Sequence, residues 1–197
     1  IIDQWPAHVD TMKENGLHIQ FPEEDLKVPV TAWHLCELAE HVPEFDMIFL
    51  SVKSNDTRWC TGLIEPYLKE DGVFVGLQNG MNNDTIADIV GKERTLCAVV
   101  ELSGEIFTPG IIQRDTTHTG TWFGLGELDG TITPRLKEVQ SIMENVAKIG
   151  LTQNVEGAKW TKLIANTMVM GMVGFLGLKT WEAAKLPGMS ELAVQAG

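Results

Sequence analysis

Asp46-Met47-Ile48-Phe49-Leu50-Ser51-Val52 is the stretch on which the reading of the fold turns. Its apolar residues run on without the alternation of a half-exposed strand, so it is expected to be a strand covered by helices on both faces. Outward from it, short apolar runs keep switching with segments of helical spacing. A helix is expected near Asp56 to Leu68, a second buried strand at Val73 to Leu77, a helix near Asn83 to Val90, and a strand from Thr95 to Val100. That alternation marks an α/β fold, a mostly parallel sheet flanked by helices. From Gly110 the chain turns β-rich, and Gly110 to Arg114 and Thr121 to Leu125 read as antiparallel edge strands or hairpins. Leu136, Val139, Ile142, Met143, Val146 and Ile149 then follow at helical spacing, with Gly150 as the expected C-cap.

The ends extend this pattern. Ile1-Ile2-Asp3 reads as the tail of a strand, and Met189 to Ala196 as a last helix. Both ends are expected to be truncations. Between residues 157 and 176, apolar side chains such as Trp160, Leu163, Ile164, Met168, Val169 and Phe175 cover nearly every side of a helix. Such a helix is expected to be buried all round, by partners from a missing C-terminal part or a second subunit. The organisation read from this is an α/β body over residues 1–153 and the beginning of a helical domain over residues 154–197.

Composition narrows the function. With 44% hydrophobic and 21% charged residues in 197, the chain can bury a sizeable core. Fifteen Lys and Arg against 27 Asp and Glu leave a net charge of −12, with no basic stripe. Nucleic acid is therefore not an expected partner. Cys36, Cys60 and Cys97 form no CxxC, and His8, His18, His34, His41 and His118 lack metal-ligand spacing, so no metal is expected. No apolar run is long enough to cross a bilayer, and no membrane association is expected. A cytoplasmic protein is the expectation.

Two constellations carry the chemistry. Lys162 and Asn166, four apart, share one face of an otherwise apolar helix. Desolvation there would bring a lysine toward the range useful for proton transfer, which suggests a general acid with an Asn that binds the same substrate oxygen. The plainer alternative is a lysine that snorkels to solvent. The second constellation lies after two adjacent strands: Lys53-Ser54 after the first, and Gln78-Asn79-Gly80-Met81 after the second. Ligands of open α/β sheets bind at that edge, although Asn79-Gly80 would equally make a turn with Gly80 at positive φ. Glu101, Ser103 and Glu105 follow a third strand and are read more readily as a polar loop than as site residues.

Taken in order, Asp46 to Lys53, Leu77-Gln-Asn-Gly-Met81, Pro109-Gly110 and Lys159-Trp-Thr-Lys-Leu-Ile-Ala-Asn166 closely resemble ketopantoate reductases (2-dehydropantoate 2-reductases). The resemblance covers nearly the whole chain. It implies a Rossmann-type dinucleotide domain followed by a helical substrate domain, NAD(P)H as cofactor, a keto acid as substrate and a homodimer. Lys162 matches the family's catalytic lysine, which protonates the developing alkoxide, and Asn166 its substrate-binding Asn one turn on. Lys53, Asn79 and Gly80 match positions beside the nicotinamide ribose and the active site.

Departures from the family pattern also matter. Its GxGxxG turn is not present, so about 25 residues of a first βα unit are expected before Ile1. The family's substrate domain runs past residue 197, and the chain as given is expected not to turn over. NADPH-using members usually carry an Arg after the second strand, where this chain has Asp3-Gln4. A carboxylate there favours a ribose 2′-hydroxyl over a 2′-phosphate, so NADH is expected over NADPH. The alternatives are reduction of another 2-keto acid, a 3-hydroxyacid-type dehydrogenase, and a non-catalytic Rossmann-like fragment.

Overall fold

A computed structural model describes residues 1–117 and 119–197. In chain order the elements are β1 (Ile2–Asp3), α1 (Pro6–Asn15), β2 (Leu17–Gln20), β3 (Asp25–Val28), β4 (Trp33–His34), α2 (Glu37–His41), β5 (Phe45–Leu50), α3 (Thr57–Ile64) and β6 (Leu68–Gly76). They continue with α4 (Asn83–Val90), β7 (Thr95–Glu101), β8 (Gly104–Thr108), β9 (Ile111–Arg114), β10 (Trp122–Glu127), α5 (Pro134–Met143) and β11 (Lys148–Leu151). Four helices close the chain: α6 (Val155–Asn166), α7 (Met172–Leu176), α8 (Thr180–Ala183) and α9 (Met189–Ala196).

The main sheet has the order β11-β10-β7-β6-β5. Its strands β5, β6 and β7 are parallel, whereas β10 runs antiparallel to β7 and parallel to β11. Burial on both faces explains the unbroken apolar runs. Val73 and Val75 of β6 point into a core with Leu96, Ala98, Leu136 and Val139, while Phe74 between them joins Ile48, Ile64 and Ile86 on the opposite face. A second sheet, β3-β2-β9-β8, packs with α1 around Val9, Met12 and Leu17. The short β1 pairs in parallel with β4, and an apolar cleft of about 480 Å³ lies between β1 and β5.

Several expectations are corrected. The first strand ends at Leu50, with Ser51-Val52 already in the following loop. The helix expected from Asp56 to Leu68 is α-helical only over Thr57–Ile64 and tightens into a 3-10 turn over Glu65–Tyr67, where Pro66 has no amide to donate. The helix after Thr133 stops at Met143, and Gly150 is not its cap. Residues Lys148–Leu151 instead pair with β10, an open hydrogen-bonding edge that periodicity along one segment cannot reveal. Gly150 faces Gly124 across that pairing, and the Trp122 indole packs over both, where a Cβ on Gly124 would come within 2.9 Å of the ring. Strand β10 is therefore interior rather than an edge.

The helix expected to run unbroken over residues 157 to 176 is also corrected. It is α6, a π-helical turn at Thr167–Gly171, and α7, ended by Gly177 in the left-handed region. Only its first half finds cover, packing on β7 and β10 through a face that buries Val155 and Lys159. Trp160 is half exposed and Phe175 is 92% exposed.

Candidate active site

Because β5, β6 and β7 are parallel, Leu50, Gly76 and Glu101 end at one edge of the sheet, and α6 packs beside it. The loops there are tied together. The last rung is the Leu77 amide donating to the Leu50 carbonyl at 2.9 Å. Beyond it Gln78 turns inward and donates through Nε2 to Thr57 Oγ1 at 2.6 Å. The Thr57 hydroxyl is itself committed as donor to the Ser54 carbonyl at 2.8 Å, which fixes the orientation of the Gln78 amide. Gly80 has φ 82°, the left-handed turn expected of it.

Ser54 Oγ donates to the Asn79 carbonyl at 2.8 Å, and Asn82 Nδ2 donates to the same carbonyl at 2.8 Å. The loops after β5 and β6 are thus zipped side by side. Lys53 is exposed, and among the described residues its amine has no partner. The same holds for the exposed side-chain amide of Asn79.

Helix α6 reaches this edge with two lysines. Lys159 is 4% exposed, and its Nζ donates to the Gln78 carbonyl at 2.9 Å and the Gly80 carbonyl at 3.3 Å. Burial pushes its pKa down. Lys162, three residues on, forms an ion pair with Glu101 at the end of β7. Asn166 is half-buried one turn further along and has no partner among the described residues.

The structure therefore brings Lys53, Asn79, Gly80 and Lys162 to one edge, with Asn166 on the same helix. Asp3 and Gln4 lie apart from these hydrogen-bonded loops. Asp3 Oδ1 accepts from the Trp5 amide at 2.7 Å, where the chain turns into α1, and Gln4 is exposed. Pro109-Gly110 is tied elsewhere: the Gly110 amide donates to Nδ1 of buried His8 at 2.8 Å.

Two residues of the edge escaped the sequence reading. Lys159 was available, since it lies four residues after buried Val155 on the inward stripe of the helix. Glu101, weighed above as part of a polar loop, is the partner of Lys162, a contact across 61 residues that no local pattern signals. Among the described residues no group of three His, Cys, Asp or Glu could hold a metal ion, and His118 lies outside them. No helix among them is long and apolar enough to cross a membrane.

Comparison with known proteins agrees with this architecture. Residues 1–127 match the model of the ketopantoate reductase PanE/ApbA family. The chain is 24% identical over 183 residues to a 2-dehydropantoate 2-reductase of Lactococcus lactis, covering 89% of this chain and 56% of that protein. A Nostoc 2-dehydropantoate 2-reductase is 22% identical, with 88% and 55% covered. The solved 2-dehydropantoate 2-reductase of Geobacter metallireducens superposes with a TM-score of 0.87 at 21% identity, covering 98% of this chain and 63% of that one. A D-mandelate dehydrogenase solved with NADH and anilino(oxo)acetate gives a TM-score of 0.84 at 18% identity, with 98% and 61% covered. The chain thus spans little more than half the length of its curated relatives. With an α/β fold and a match that runs from β1 through β10, this chain belongs to the ketopantoate reductase PanE/ApbA family.

Proposed function

We propose that this chain serves the NAD(P)H-dependent reduction of a branched 2-keto acid, ketopantoate to pantoate in the simplest case. The observation that carries the reading is the convergence of Lys162 and the Asn79-Gly80 loop on one edge of the parallel strands. The residues there fit a nicotinamide nucleotide. The Lys53 amine and the Asn79 amide are unspent among the described residues, and Asp3 keeps its second carboxylate oxygen open for a ribose hydroxyl. When bound, the cofactor supplies the hydride.

The chain's own groups do the rest. Lys162 Nζ donates a proton to the carbonyl oxygen as negative charge develops there, and its own charge stabilises that oxygen. It exchanges the Glu101 carboxylate for the substrate to do so. Asn166 and Asn79 donate side-chain N–H groups to the substrate and hold it in register with the lysine. Asp3 favours NADH by accepting from the 2′-hydroxyl and repelling a 2′-phosphate. Residues 1–153 form the nucleotide-binding part, residues 154–197 begin the substrate and dimer part, and the apolar faces exposed on α7 and α8 support a homodimer.

The test is oxidation of NADH and NADPH with ketopantoate by the product of the natural reading frame, beside the same protein carrying Lys162→Ala. Turnover that falls by roughly 10²–10⁴ in the variant supports the lysine as proton donor. Turnover retained in the variant sinks that role, and equal dissociation constants for the two nucleotides sink the role of Asp3. Activity on a phenyl-substituted 2-keto acid in place of ketopantoate would move the substrate toward that of D-mandelate dehydrogenase.

A further inference from the structure

We infer that Lys159 is a positioning residue, whose buried ammonium locks the Gln78-Asn79-Gly80 backbone so that the Asn79 carboxamide faces the ligand. The inference rests on the reading of Asn79 as a ligand-binding residue. Its starting point is an imbalance: Lys159 is buried, yet no carboxylate among the described residues pairs with it. An ammonium taken out of water without a counter-ion is costly. Its two acceptors are carbonyls, and both belong to one turn.

Those carbonyls alternate with a third. Gln78 and Gly80 present theirs to Lys159, whereas the Asn79 carbonyl between them accepts from Ser54 and Asn82. Three successive peptide planes are therefore held, and the Asn79 Cα sits between two of them. What remains free at Asn79 is its side chain. Gly80 is the weak point of such a turn, since a glycine at φ 82° has the widest backbone freedom, and the bond to its carbonyl removes that freedom.

The same helix carries the proposed proton donor. Lys162 stands three residues beyond Lys159, about 4.5 Å along the helix axis. Pinning the turn to Lys159 therefore fixes the separation between the Asn79 turn and the start of the Lys162 side chain.

The experiment compares the natural reading-frame product with Lys159→Met, which keeps the stem and volume but not the donors. Backbone 15N order parameters of Asn79, Gly80 and Met81 are expected to fall from about 0.85 to below about 0.6, with those of β7 and α5 unchanged. Unchanged order parameters at residues 79–81 overturn the inference, whether or not the protein reduces any keto acid. In an active enzyme, Lys159→Met is expected to raise KM for the keto acid about tenfold with a smaller change in kcat. The same substitution is expected to add nothing in an Asn79→Ala background. Effects that multiply across the two backgrounds overturn the inference. Lys159→Arg, which keeps charge and donors, is expected to restore the high order parameters and the original KM. If Lys159→Met does not fold, Lys159→Gln keeps a neutral NH2 donor and is expected to give intermediate order parameters; values as high as in the original protein overturn the inference.

Discussion

Phe74 in β6 and Phe175 in α7 are the same side chain in two regions with opposite fates: the first is fully buried and the second 92% exposed. Around Phe74 a sheet presents two faces, and α3 and α4 cover the one it points to. The helices after Asn154 have no such second layer. Val155 and Lys159 find the sheet, while Met170, Phe175, Trp181 and Val194 stay more than half exposed. Apolar character does not by itself bring burial about. A surface must exist on the other side.

Substitutions should separate the two regions. Phe74→Ala is expected to cost about 3–5 kcal/mol in urea unfolding, because it opens a cavity between sheet and helices. Phe175→Ala should stay within about 0.5 kcal/mol in the monomer, as for other exposed positions. A large loss at Phe175 in a concentration-dependent transition would instead reveal a covering subunit and sharpen the contrast.

A smaller effect belongs to alkaline pH. Burial pushes the Cys97 thiol up to about 12, against 9.0 for a free thiol. Above pH 9 the unfolded chain therefore loses that proton first, and stability falls as pH rises, by at most about 1.4 kcal/mol per pH unit. Lys159 acts the other way: its lowered pKa means the unfolded chain holds that proton longer, so stability gains with pH until about 10.5. Urea midpoints from pH 8 to 11 should show a shallower alkaline loss in Cys97→Ala than in the original protein. An identical slope would mean the thiol is not shielded in the fold.

A further local effect is expected at a helix start in the sheet body. Thr133 Oγ1 accepts from the Leu136 amide at 3.1 Å and donates to Glu127, so Thr133→Ala should cost about 1 kcal/mol by the same urea unfolding. A loss near zero would mean that Pro134 and the burial of Leu136 set that helix unaided.

How legible all this was depends on the range of the interaction. Helix α4 was read from sequence with its observed bounds, since its apolar stripe and Gly91 stop are local. The segment after Met143 was misread because Ile149 continues a helical period yet pairs with Phe123 of a strand more than twenty residues away. At the site, Asn79, Gly80, Lys53 and Lys162 were named from position at strand ends and helix faces. The bonds that hold those loops, from Ser54 to Asn79 and from Lys159 to Gln78, were not, because they join segments that no spacing connects.

Local chemistry alone determined the α/β class, the run of buried strands and the left-handed Gly80, since each follows from neighbours within one or two turns of backbone. The tertiary structure alone decided which lysine is buried and which meets a carboxylate. Lys159 and Lys162 share one helix, and three residues rotate a side chain by about 300° around it, enough to separate their surroundings. One amine lies under the carbonyls of a distant turn, and the other beside the end of β7.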